Sequence, residues 1–168
     1  VVVGINTRMI YLLYDDGSRS EKVILNELGG CKGIIQSDGY SPYRKLESDA
    51  YPHITRIPCL QHIKRKFIDC GEDEPDAKRI VELINTLYQN EHKHKIGVDG
   101  WTVEQNLVHR KKYAPDILGE IKDVLDDIEE RGDLLPKSEL KEAVTYLRNE
   151  WNAVVDIFNY GDTYLDNN

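Results

Sequence analysis

The sequence predicts an α/β fold in which a small mixed sheet with its helices is followed by a block built of helices alone. Three observations predict it. Short β-branched runs bounded by turn residues occur only before residue 60, and apolar residues after Cys70 recur with a helical period. Within the first of these regions, Gly33-Ile34-Ile35-Gln36-Ser37-Asp38-Gly39-Tyr40 sets one carboxylate where an apolar strand should stop. At 168 residues the chain can bury a real hydrophobic centre, as one domain or as one core carrying an elaborate insertion.

The elements follow in order. Val1 to Ile5, Met9 to Tyr14, Gly33 to Gln36 and His53 to Ile57 read as four strands, punctuated by Asn6-Thr7, Asp15-Asp16-Gly17 and Asp38-Gly39. The first two are joined so closely that they should form an antiparallel hairpin. Ser20 to Leu28 reads as a helix, with Ser20 as N-cap, Val23, Ile24 and Leu28 on one face, and Gly29-Gly30 as its stop. A short helix near Pro42 to Leu46 and another from about Leu60 to Asp69 complete the α/β layer.

Four helices are expected beyond Cys70. Ile80, Leu83, Ile84 and Leu87 make one stripe, and Thr102 with Gln105 forms a capping box that opens a second helix. Pro115, at a first-turn position, starts a third, whose Ile117, Leu118, Ile121, Val124, Leu125 and Ile128 keep a helical period up to Gly132. The fourth is expected to be the longest. Ser138 caps it, Glu139 and Glu142 suit its positive end, and Leu140, Val144, Leu147, Trp151, Val154 and Phe158 form its buried face before Gly161.

Composition narrows the class. Cys31, Cys59 and Cys70 are odd in number and irregularly spaced, which favours reduced thiols and a cytoplasmic setting over a disulfide framework. No apolar run reaches the roughly 18 residues a membrane span requires. No Met opens the chain, and Val1 enters a strand-like run, so a piece of a longer polypeptide is expected. The formal charge is −8, but residues 1–70 carry 10 basic against 8 acidic side chains and residues 71–168 carry 12 against 22. The acid therefore belongs to the second half, and a nucleic-acid partner is not excluded for the first.

Asp38 should stand at or just past the C-terminal end of its strand, the edge at which open α/β sheets bind ligands. An Asp-Gly pair can also be a turn and nothing more. The pattern Gly33-x-Ile35-x-x-Asp38-Gly39-Tyr40-x-x-Tyr43, followed by Cys59-x-x-His62-x-Lys64-Arg65-Lys66-Phe67, resembles the core of bacterial transposases of the insertion sequence 66 family. Trp151, Gly161 and the terminal Asp166-Asn167-Asn168 resemble that family's Trp-bearing helix, Gly turn and the Asp-Asn-Asn that introduces its last catalytic helix.

The resemblance implies a ribonuclease H-like mixed sheet, its first strand and last helix missing or truncated, with an all-α insertion after the fourth visible strand. Residues 1–70 would be the partial catalytic core, 71–160 the helical insertion and 161–168 the start of the return to the core. It also implies a DDE triad in which two Asp and one Glu hold two divalent metals, Mg2+ or Mn2+, because only converging carboxylates hold hard cations roughly 3.5–4 Å apart. Water would cut a phosphodiester at the transposon end, and the freed 3′-hydroxyl would then attack target DNA. Asp38 corresponds to the second Asp of the triad. The first Asp is expected upstream of Val1 and the Glu just beyond Asn168, so the chain alone is expected to be inactive and not to bind the metals. The partners implied are DNA and further copies of the protein on DNA, with no membrane; the setting is the cytoplasm, at the nucleoid when on DNA.

Other residues carry paired readings. Asp15 and Asp16 read as turn residues, and Asp166 as a helix cap. Cys59-x-x-His62 has the spacing of half a zinc site, with Cys70, His53, His92 and His94 as further donors, but no regular second pair accompanies it. By the resemblance His62 contacts a substrate phosphate or orients a carboxylate; the plain alternative is a packed His at a helix start. Lys64, Arg65 and Lys66, at 100° per residue, cannot share one helix face, so at most two meet DNA together. Tyr40 and Tyr43 are expected to pack the short helix. Trp101 either stacks on an extruded base or packs a helix start. Two other functions stay open: a ribonuclease H-like nuclease or resolvase, and an inactive transposase remnant serving as a binding or oligomerisation module.

Overall fold

The computed structural model describes residues 2–4, 9–11, 21–93 and 100–166, with backbone alone for the first two stretches. Asp15, Asp16, Ser20, His94, Asn167 and Asn168 lie outside the described residues. β1 (Val2–Gly4) and β2 (Met9–Tyr11) pair antiparallel, with Val3 opposite Ile10, as so short a connection requires. After α1 (Glu21–Leu28), β3 (Gly33–Ser37) pairs in parallel with β4 (Ile54–Pro58), Gly33 opposite Ile54 and Ser37 opposite Pro58. The crossover between them holds α2 (Ser41–Arg44) and a 3-10 turn, Lys45–Glu47.

Among the described residues the strands form two separate two-stranded ladders, not one mixed sheet. Ile24 of α1, Leu46 of the crossover and Ile54 of β4 make a small apolar cluster with Ile35 and Tyr51 packed against it. The larger core begins at Ile57 in β4 and continues without a break through Leu60, Ile63 and Phe67 of α3 (Leu60–Ile68) into the helices beyond. Each fully buried side chain of this kind contributes about 1.5–3 kcal/mol through apolar surface removed from water.

Among the described residues those helices are three. α4 (Pro75–Glu91) buries the expected stripe Ile80, Leu83, Ile84 and Leu87 against α3 and α5. α6 (Glu139–Ile157) starts at Ser138, whose hydroxyl accepts the Lys141 N–H, and packs on α3 and β4 with Leu140, Val144, Leu147 and Val154 buried. Trp151 is half-buried against the same core.

α5 (Val103–Arg131) corrects the expectation of two helices divided at Pro115, and its 29 residues also make it longer than the 19 of α6. Thr102 and Gln105 close the capping box, and Gly132, at φ 65°, ends the helix in the left-handed conformation glycine tolerates. Pro115 lies inside this rod of roughly 43 Å and removes one backbone donor, a defect that typically costs ~3 kcal/mol. The helix persists because its buried stripe stays in phase across the proline: Asn106, Arg110 and Ala114 before it, Ile117, Leu118 and Ile121 after it. The first two are polar, so apolar periodicity cannot register them.

Candidate active site

β3 ends at Ser37, which places Asp38 as the first residue beyond the strand, where the Asp-Gly turn signal puts it. The carboxylate Oδ1 accepts the backbone N–H of Tyr40 at 3.2 Å, an Asx-type turn that holds the side chain at the strand's end. Beside it opens a cavity of about 400 Å3 lined by Asp38, Gly39, Tyr40, His62, Arg65, Lys66, Asp69 and Tyr146. Three elements therefore build it: the turn after β3, one face of α3, and α6.

The turn is held from below by charge. Arg56, in the middle of β4, is 3 % exposed, and its guanidinium reaches four groups. Nε donates to Ser37 Oγ at 2.9 Å and Nη1 to Glu47 Oε1 at 2.6 Å. Nη2 donates to the Asp38 carbonyl at 2.8 Å and to Glu150 Oε2 at 2.7 Å. Ser37 Oγ donates in turn to the same Asp38 carbonyl. Glu150 is 1 % exposed, and Arg44 Nε stands 3.9 Å from its other oxygen. Charge-assisted bonds of this kind are roughly twice as strong as neutral ones.

On the other side, the Gly39 N–H donates to the Tyr146 hydroxyl at 2.7 Å. A Cβ on Gly39 would come within 2.5–2.6 Å of that ring, so only glycine lets α6 approach the turn so closely. Burial pushes the Tyr146 hydroxyl above its usual range, with Glu150 and Asp38 adding to the effect and the Gly39 N–H opposing it. It therefore stays protonated through neutral pH.

Of the residues the sequence singles out, the cavity gathers Asp38, His62, Arg65 and Lys66. His62 Nδ1 is enclosed with no hydrogen-bond partner among the described residues, an unusual state for a buried ring nitrogen. Lys66 Nζ lies 6.0 Å from the centre of the Tyr146 ring. Lys64 is not part of the cavity wall; its Nζ sits 5.9 Å over the ring of Tyr88 on α4. Tyr40 and Tyr43 meet edge to face, and Tyr40 also lines the cavity.

Trp101 is not brought to this cavity. Its Nε1 donates to Asn106 Oδ1 at 3.3 Å at the start of α5, and its ring meets His109 edge-on. Asn106 Nδ2 donates to the Gly161 carbonyl, so this cluster fastens the chain where it leaves α6. Arg110, fully buried, completes that fastening: it grips Glu91 with Nε and Nη2 and donates to the carbonyls of Ile157, Tyr160 and Thr163. The segment so directed returns to the sheet. Gln36 Nε2 donates to the Tyr164 carbonyl at 2.8 Å, and Leu60 N–H to the Leu165 carbonyl at 2.8 Å. Asp166 then lies beside Tyr88, whose hydroxyl is pushed up by burial and by that carboxylate.

Sequence reasoning missed Arg56, Tyr146, Glu150 and Arg110. A signal was present for three of them. Arg56 falls two residues after Ile54 and one before Ile57 in a short strand, Glu150 falls three residues after Leu147 and four before Val154, and Arg110 falls four before Ala114. A charge in phase with a buried stripe marks a buried pair.

The model of a protein family described as transposases of the IS66 family matches residues 3–168. Two curated relatives come from Sinorhizobium fredii (strain NBRC 101917 / NGR234). The uncharacterized protein y4jD is 27% identical over 158 residues, covering 90% of this chain and 30% of its own length. The uncharacterized protein y4qI is 24% identical over 173 residues, covering 98% of this chain and 31% of its own. The chain thus spans about three tenths of the length of these relatives. No solved structure matches it.

Proposed function

The chain belongs to the IS66 family of transposases, and we propose that it is part of the catalytic region of a protein that cuts and joins DNA, contributing Asp38 as one carboxylate of a DDE triad in a ribonuclease H-like core. One observation carries this reading. At the C-terminal edge of the parallel pair, Asp38 lines a cavity together with Arg65, Lys66, His62 and a second carboxylate, Asp69, and residues 164–165 are bonded back to that same edge. The substrates are then transposon ends and target DNA, and the reaction is attack of water, then of the freed 3′-hydroxyl, at phosphorus. A strand from outside the described residues, pairing with both ladders, would complete the sheet this reading requires.

The site's own residues have distinct tasks. Arg65 and Lys66 bind phosphate oxygens of the DNA backbone, which fixes position without reading sequence. His62, which lines the cavity, contacts a phosphate or orients a neighbouring carboxylate. The donor chemistry suits a hard divalent cation, Mg2+ or Mn2+: Asp38 would hold it, together with carboxylates from elsewhere in the protein. No three His, Cys, Asp or Glu among the described residues stand together as a metal site. That the chain alone is inactive is part of the same proposal. When bound, such cations supply Lewis-acid stabilisation of the phosphoryl transfer. Assembly of several copies on two DNA ends, in the cytoplasm, belongs to the same proposal; no helix among the described residues is long and apolar enough to cross a membrane.

Asp38→Asn in the intact transposase tests it. The substitution keeps the shape and the Asx turn, so the melting temperature should move by less than about 2 °C. Metal-dependent strand cleavage should fall by about 1000-fold or more, since several kcal/mol of charge stabilisation is lost. Cleavage at the wild-type rate would overturn the assignment.

A further inference from the structure

We propose that the peptide group joining Asp38 to Gly39 is clamped at its N–H by α6 and at its carbonyl by a β4 arginine that α6 holds, and that Arg56, Glu150 and Tyr146 are the positioning residues that aim the Asp38 carboxylate. The proposal rests on the reading of Asp38 as catalytic and deepens it. The carbonyl of this peptide accepts from Arg56 Nη2 at 2.8 Å, and its N–H donates to the Tyr146 hydroxyl at 2.7 Å. Both atoms belong to one rigid plane, so two bonds at its opposite edges fix ψ of residue 38 and φ of residue 39 together. The direction of the Asp38 Cα–Cβ bond follows from that plane.

Both clamps lead to α6. Tyr146 and Glu150 are four residues apart, hence on one face of the helix, and Glu150 holds the guanidinium at 2.7 Å. Why the pair is ionic is the informative point. Arg56 and Glu150 side chains are 0 % and 1 % exposed, and two apolar residues of similar size would join β4 to α6 as firmly or more so, because the desolvation cost disappears. An apolar pair cannot donate to the Ser37 hydroxyl and the Asp38 carbonyl. Stability is thus available without the charges, and aim is not.

That difference sets the experiment, made in the intact transposase with three readouts: melting temperature, hydrogen exchange at the Gly39 amide, and Mg2+-dependent strand cleavage. In the double variant Arg56→Met with Glu150→Leu, the melting temperature should stay within about 3 °C or rise. Gly39 exchange should speed up by about tenfold or more, and cleavage should fall by about tenfold or more with a higher Mg2+ requirement. Tyr146→Phe removes a single hydroxyl from the other end of the plane and should reproduce both losses with the fold intact, so the test stands even where the double variant does not fold. Unchanged Gly39 exchange in either folded variant, or cleavage that recovers along with stability in the double variant, would overturn the proposal. Failure of the Asp38 reading shows elsewhere, as cleavage retained by Asp38→Asn, and leaves the exchange readout independent.

Discussion

Arg56 and Arg110 are both enclosed guanidiniums paired with a glutamate from a helix, yet what they hold is unlike. Arg110 binds Glu91 with two nitrogens and spends the rest on the carbonyls of Ile157, Tyr160 and Thr163, all of them polypeptide that leads nowhere but back into the fold. Arg56 spends its donors on Glu47, Glu150, Ser37 and the carbonyl of Asp38, a residue that lines the cavity with Arg65, Lys66 and Asp69. The same device therefore sets a chain's path at Arg110 and, on the proposed reading, the aim of the Asp38 carboxylate at Arg56. Burying a charge is costly in both places, and it is tolerated where backbone carbonyls need a donor that an apolar side chain lacks.

The comparison breaks most visibly at the Arg110 end. Arg110→Ala leaves Glu91 facing a hole, strips the Tyr113–Glu91 hydrogen bond of its counter-charge and removes the donor from three carbonyls. The expected loss is about 3–5 kcal/mol, read as a lower urea midpoint with a nearly unchanged slope. A loss below about 1 kcal/mol would mean that this clasp is ornamental. By contrast, the apolar replacement of Arg56 and Glu150 is expected to spare stability and to cost cleavage.

DNA binding sharpens the contrast with a smaller effect. Lys66→Ala should weaken binding of transposon-end DNA and lower the salt slope by roughly 1, as one phosphate contact less requires. Lys64, seated over the Tyr88 ring, and Lys111, bonded to Asn159 beside the Arg110 clasp, should change neither when replaced by Ala. Equal effects from all three would put the DNA path somewhere other than the Asp38 cavity.

Local signals made the Asp38 end legible in the sequence. A β-branched run stopped by Asp-Gly locates the carboxylate at the strand's edge, and Thr102 with Gln105, Ser138 and Gly132 each mark a helix end by a bond that depends on neighbours a few residues away. Long-range polar pairing stayed out of reach. Arg56 and Glu150 are 94 residues apart, and nothing in either neighbourhood says that they meet. The continuity of α5 was hidden for a related reason: Asn106 and Arg110 hold buried positions of its stripe, so a search for apolar period begins only after Pro115 and mistakes the proline for a start. The basic run on α3 was legible in part. Helical geometry limited it to two cavity-facing residues, and packing against Tyr88 decided that Lys64 would be the one left out.

The most direct test of the central claim is a metal-specificity switch at Asp38 in the intact transposase. Asp38→Cys exchanges a hard oxygen donor for a soft sulfur, which disfavours Mg2+ and tolerates Mn2+. If Asp38 holds a catalytic cation, this variant cleaves transposon-end DNA poorly in Mg2+ and recovers activity in Mn2+, while Asp38→Asn recovers in neither. Cleavage by Asp38→Cys at the wild-type rate in Mg2+ would contradict the account.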